Sequence, residues 1–150
     1  MNQIISHKDL VVWQKAITLA CKVYAATSRL PSDERFGLQS QLRRTAVSIA
    51  SRIAEGSARR GRAEFVQSLH LARSALAELE TQYIIASRLA ALDDSQAALE
   101  DIAEVGRLLN GLIRSLVSSG RAAHAKACAP HRDPPTVTAA RPPHPPRTNT

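Results

Sequence analysis

The stretch EFVQSLHLARSALAELETQYIIASRLA, residues 64–90, decides the fold. Phe65, Leu69, Ala72, Leu76, Leu79, Tyr83, Ala86 and Ala90 recur at alternating spacings of four and three without a break. That spacing sets them on one stripe of an α-helix roughly 45 Å long. Working outward, the same period governs three more segments. Upstream, Leu38, Leu42, Ile49 and Ile53 share a face that stops at Gly56, a residue suited to a helix C-terminus. Earlier still, Leu10, Trp13, Ile17, Ala20, Tyr24 and Thr27 mark a first helix. Ser6 and Asp9 are spaced as a capping pair before it, and Pro31 with Ser32 ends it and caps the next. Downstream, Asp93 and Asp94 suit a helix N-terminus, and Leu99, Ile102, Val105, Leu109, Leu112, Ile113 and Leu116 carry a fourth helix to Gly120. No strand pattern interrupts the series. Short connections between four amphipathic helices predict an all-α, antiparallel up-down four-helix bundle.

The bundle accounts for residues 1–119 of the 150. Seven of the eight prolines follow residue 129, and residues 120–150 read Ala/Pro/Arg/His/Thr with Val137 as the one branched aliphatic. Such a segment buries too little apolar surface to offset the entropy of ordering it, so a disordered basic tail is expected there. The division also partitions the net charge of +7. The tail holds five basic residues against one acidic, or +4, and leaves fifteen against twelve, or +3, for the bundle. No apolar run has membrane-spanning length, and Lys8, Asp9, Lys15 and Lys22 interrupt what a secretory leader would need. Cys21 and Cys128, two thiols without a framework, fit a reducing compartment. A cytoplasmic protein with no membrane partner is expected.

Two helices carry a second apolar face. Ser40, Val47, Ser51 and Ala54 project away from the Leu42 and Ile49 side of the second helix, and Leu71, Ala75, Gln82, Ile85 and Leu89 form a separate stripe on the third. Two such stripes fit either a broad core contact or a subunit interface. The interface reading makes the protein a homo-oligomer and assigns Val47, Ser51, Ala54, Leu71, Ile85 and Leu89 to the contact.

Catalytic chemistry finds little purchase. No phosphate-cradling glycine loop, zinc-protease or nucleophile-elbow pattern occurs. His7 and His70 lack spaced carboxylate or thiol companions, so no metal or cofactor is expected. Glu78 and Glu80 point about 200° apart on a helix and cannot share a proton. Glu55 and Glu64 are better read as capping or arginine-pairing residues, and Cys21 as a small residue beside the core. A non-enzymatic role follows.

The arginines stand out instead. Residues 35–73 hold eight arginines against Glu55 and Glu64, a local +6, whereas residues 74–119 carry three basic and seven acidic residues, a local −4. Arg59, Arg60 and Arg62 crowd the connection into the third helix, where the N-terminal dipole opposes cations. They fit a phosphate-binding surface together with Arg43 and Arg44, or else solvated or bridging cations that satisfy the end of the second helix or meet the acidic fourth. Trp13, Tyr24, Phe36, Phe65 and Tyr83 all lie on or beside expected core stripes. No stacking platform is then left, and contact with RNA or DNA should go through phosphates, salt-sensitive and sequence-tolerant.

GLQSQLRRTAVSIASRIAEG at 37–56, with DLVVWQ at 9–14, EF at 64–65 and ARSALAELETQ at 72–82, resembles the bacterial four-helix-bundle proteins of 23S ribosomal RNA intervening sequences, the S23 family. The likeness spans residues 6–117. Thr45, Ala50 and Arg52 stand where the family pattern has alanine, proline and asparagine. IAEVGRLLNGLIRSL at 102–116 is similar to the last helix of a related branch, the accessory variability protein of diversity-generating retroelements. The resemblance implies a homopentameric ring and, in that branch, a basic pentamer that binds nucleic acid and a reverse transcriptase. The expectation is a non-enzymatic homo-oligomeric scaffold, a pentamer, binding RNA or DNA through Arg43, Arg44, Arg59, Arg60 and Arg62. The alternative is an adaptor that docks an acidic protein partner or a reverse transcriptase-like enzyme without touching nucleic acid.

Overall fold

The computed structural model describes residues 6–90, 92 and 95–127. Four helices form: α1 (Val11–Thr27), α2 (Leu38–Ala58), α3 (Arg62–Ala90) and α4 (Ser95–Ala127). Among the described residues there is no strand. Each helix packs on its sequence neighbours and α4 returns to α1, while the backbones of α1 and α3, and of α2 and α4, stay apart across the diagonals. The section is therefore a square of four rods. Residue pairs run in opposing order along every side of it. Lys15 and Lys22 meet Glu104 and Asp101, Tyr24 and Thr27 meet Arg43, and Thr45 meets Glu78. The backbone of Gly56 lies against Phe65 and Ser68, that of Gly106 against Leu76, and that of Gly120 against Arg62. Neighbouring helices thus run in opposite directions.

The core follows the apolar period in α2, α3 and α4. Leu42, Ile49, Ile53, Leu69, Leu79, Tyr83 and Leu109 are all essentially sealed from solvent. In α1 the buried residues are Val12, Ala16, Leu19, Ala20, Val23 and Thr27, with Leu10 just before them, so the expected stripe is buried only at Leu10, Ala20 and Thr27. Trp13 is only partly buried, and Ile17 and Tyr24 are exposed. This helix is apolar on two overlapping faces about 100° apart, so periodicity alone admits either, and packing against α2 and α4 selects one. Cys21 sits on the exposed side as well.

Helix ends differ from expectation in informative ways. Ser6 and Asp9 do form a reciprocal capping box, but around a single 3-10 turn, His7–Asp9, that precedes α1. Ser32 opens another such turn, Ser32–Glu34, and α2 begins only at Leu38, whose N–H donates to the Glu34 carboxylate at 3.2 Å. Gly56 does not end α2. The helix continues to Ala58, and Gly56 is buried where α2 and α3 approach most closely. Helix α4 runs through Gly120 to Ala127 and so takes in residues 120–127 of the expected tail. Asp93, Asp94, Cys128 and the remainder of the expected tail, 128–150, lie outside the described residues.

Candidate nucleic-acid interface

The five arginines expected to act together occupy two ends of α2. Arg43 and Arg59 are sixteen residues apart on one helix, about 24 Å along its axis. At the α2–α3 turn, Arg59, Arg60 and Arg62 are exposed around a hollow of about 590 Å³ that also includes Ser57, Phe65 and Leu116. The end of α2 is closed by backbone, with the Arg59 N–H donating to the Gly56 carbonyl at 3.2 Å. The three guanidiniums have no hydrogen-bond or ion-pair partner among the described residues. Nor do they bridge to the acids of α4 within the chain. Asp101 and Glu104 are taken by Lys22 at 2.6 Å and Lys15 at 3.2 Å on α1.

At the other end, α1 finishes beside the start of α2. Arg43 is half-buried here and committed to that junction. Its Nε donates to Thr27 Oγ1 at 3.0 Å, an Nη donates to the Tyr24 carbonyl at 3.3 Å, and the guanidinium lies 4.7 Å from the Tyr24 ring centroid. Gln39 Nε2 supports it by donating to the Thr27 carbonyl at 2.8 Å. These donors add to the Ser28 and Leu30 N–H groups, which already reach the Tyr24 and Thr27 carbonyls, so the end of α1 is closed by backbone and side chain together. Arg44, the next residue, points free of that network and is exposed. Phe36 stands in the link before α2 and is 91% exposed, with the Arg35 guanidinium 5.8 Å from its ring centroid. The expectation that all five aromatics serve the core therefore fails. Phe65 and Tyr83 are buried, Tyr24 is 45% exposed, and Phe36 contributes almost nothing to the interior.

A third basic hollow, also about 590 Å³, lies between α3 and α4 and is lined by Arg73, Arg107, Asn110, Ile113 and Arg114. Charge summed over segments hid it, because Arg107 and Arg114 fall in the acidic part of the sequence. Their spacing around Asn110, three and then four residues, is the signal that places them on one face, beside the one whose acids serve α1.

Of the residues expected at a subunit contact, Val47, Leu71, Ile85 and Leu89 are exposed, as is Ser51, and Ala54 is half-buried. Ala75 and Gln82, read as part of the same stripe, are instead buried. Gln82 Nε2 donates to Glu78 Oε1 at 2.9 Å, and Thr45 Oγ1 donates to that oxygen at 3.4 Å, so the inner margin of the stripe closes the α2–α3 seam. Among the described residues no group of His, Cys, Asp or Glu is arranged to hold a metal ion. No helix among them is long and apolar enough to cross a membrane.

The fold and these surfaces define a four-helix-bundle protein with unpaired arginines at several points of its exterior. The chain belongs to the 23S rRNA-intervening sequence protein family, whose model matches residues 8–111. Its fold is similar to the crystal structure of a protein of unknown function from the S23 ribosomal protein family of Bacteroides thetaiotaomicron VPI-5482. The two share 24% identity with a TM-score of 0.65, over 71% of this chain and 98% of the other. Among curated proteins none matches.

Proposed function

We propose that the protein is a non-enzymatic, homo-oligomeric scaffold of the cytoplasm, a ring of five as the family resemblance implies, that binds RNA or DNA through phosphate contacts. The observation that carries the reading is the set of exposed guanidiniums without carboxylate partners among the described residues: Arg44, Arg59, Arg60, Arg62, Arg107 and Arg114. An arginine unpaired within its own chain is an open site for a bidentate anion such as phosphate. Exposed Val47, Leu71, Ile85 and Leu89 support the assembly, since they offer apolar surface on the outer sides of α2 and α3. Repetition of the arginine clusters around a ring would multiply weak phosphate contacts into avidity.

The test is the Arg59→Glu, Arg60→Glu, Arg62→Glu triple variant. Binding of a nucleic acid in about 150 mM salt should be lost, while the sedimentation coefficient stays that of the native assembly. Unchanged binding would move the contact away from the α2–α3 turn. Retained assembly with no nucleic-acid binding by the native protein, but capture of an acidic protein, would favour the adaptor reading.

A further inference from the structure

We infer that the cleft at the α1–α2 junction receives an unpaired nucleotide of a single-stranded nucleic acid, its base stacked on Phe36 and its phosphate held by Arg44. The inference rests on the nucleic-acid reading above and adds what kind of nucleic acid the protein prefers. The cleft holds about 380 Å³ and is lined by Tyr24, Arg35, Phe36, Ser40, Arg43 and Arg44.

Phe36 is the anomaly. A phenylalanine buried in a core stabilises a fold by about 1.5–3 kcal/mol, and one that is 91% exposed supplies almost none of that. Its backbone sits between the Ser32–Glu34 turn, which buries no residue, and the first residue of α2, so the ring stands at the rim of the bundle. The Arg35 guanidinium approaches the ring without covering it. Behind the ring the cleft is rigid. Arg43 is fixed on Tyr24 and on two acceptors of α1, and the cation–π contact leaves the Tyr24 phenol 45% exposed.

Cation, open aromatic face and hydroxyl in one cleft match the parts of a nucleotide: phosphate, base and sugar or base edge. Arg44 is exposed one and a half turns into α2 and has no partner among the described residues. Of the two carboxylates in the turn before the ring, Glu34 accepts from the Leu38 N–H at the start of α2, and Asp33 is exposed. A base in a duplex has both faces covered by its neighbours and cannot reach Phe36. The ring therefore selects unpaired strands, whereas the arginines at the α2–α3 turn do not discriminate.

The experiment is fluorescence anisotropy in about 150 mM salt with 12-nucleotide RNA and DNA single strands and the matching duplexes, on the full chain. The native protein should bind a single strand about tenfold or more tightly than its duplex. Phe36→Ala should remove that preference and leave duplex affinity alone, and Phe36→Trp should keep it. Because the ring is outside the core, both variants should melt as the native protein does. A strand carrying 2-aminopurine should show stacking-dependent quenching with the native protein and none with Phe36→Ala. Arg44→Gln should weaken single-strand binding and reduce the salt slope by about one. The RNA and DNA arms read whether the 2′-hydroxyl contributes. Equal binding of single strand and duplex, or a preference that survives Phe36→Ala, overturns the inference and leaves phosphate binding standing. Failure of every nucleic acid to bind overturns both. An acidic peptide whose binding depends on Phe36, with no single-strand preference, would give the cleft to a protein partner and overturn it too.

Discussion

Gly56 and Gly111 are both helical glycines, and their surroundings give opposite expectations for the same substitution. A Cβ on Gly56 would come within 2.5 Å of Ser68 Cβ and 2.9 Å of a Phe65 ring carbon, so α2 and α3 can approach this closely only around a glycine. Gly56→Ala should cost about 1–3 kcal/mol through forced displacement of α3, despite alanine's better helix propensity. Nothing lies within 4 Å of a Cβ on Gly111. There the propensity term acts alone, and Gly111→Ala should stabilise by about 0.5–1 kcal/mol. Urea unfolding of the two variants checks both signs. In the sequence, Gly56 is indistinguishable from a helix stop, because a glycine that ends a helix and one that admits a neighbouring helix leave the same letter. Phe36 is hidden for a related reason. An aromatic beside a helix start reads as a core anchor until the packing shows that no neighbour reaches it.

At the level of elements, α2, α3 and α4 bury the stripes their spacing predicts, and α1 does so only at Leu10, Ala20 and Thr27. Val12, Ala16, Leu19 and Val23 keep the same period as Trp13, Ile17, Ala20 and Tyr24, one residue out of step. Both faces satisfy a pattern count, and packing in the bundle leaves Trp13 at the margin, partly buried against the core. Leu19→Ala should therefore cost about 2–5 kcal/mol, as expected for a cavity at a fully buried site. The ion pair of Lys22 with Asp101, across the α1–α4 seam, lies in solvent with more than half of the lysine side chain accessible. A double-mutant cycle on that pair should give a coupling of less than about 1 kcal/mol. Denaturation midpoints of the single and double variants measure both, and a large coupling at Lys22 with a small loss at Leu19 would mean that α1 packs on its other face.

For the whole molecule, the five arginines expected to form one surface are divided between the α1–α2 junction and the α2–α3 turn, and the α3–α4 groove adds a third cluster, Arg73, Arg107 and Arg114, outside that expectation. If the apolar outer sides of α2 and α3 join copies of the chain, Leu71→Glu with Ile85→Glu should dissociate the assembly to a monomer that keeps its helical circular dichroism. Sedimentation velocity at micromolar concentration reads that outcome, and an unchanged coefficient would place the contact elsewhere. Nucleic-acid affinity should fall with it, because each bundle alone carries only a few phosphate contacts at each cluster.

The four-helix class, most of the core and the family were legible because each depends on local order: a period near 3.6, caps, and blocks of adjacent residues. The count and type of charged residues belong to the sequence in the same way. Which of two apolar faces α1 buries, the role of Gly56, the commitment of Arg43 to the end of α1, the grouping of Arg107 and Arg114 with Arg73, and the exposure of Phe36 are tertiary outcomes. Each depends on how one rod is rotated and set against its neighbours. That rotation is decided by packing summed over all four helices, a quantity that no single segment contains.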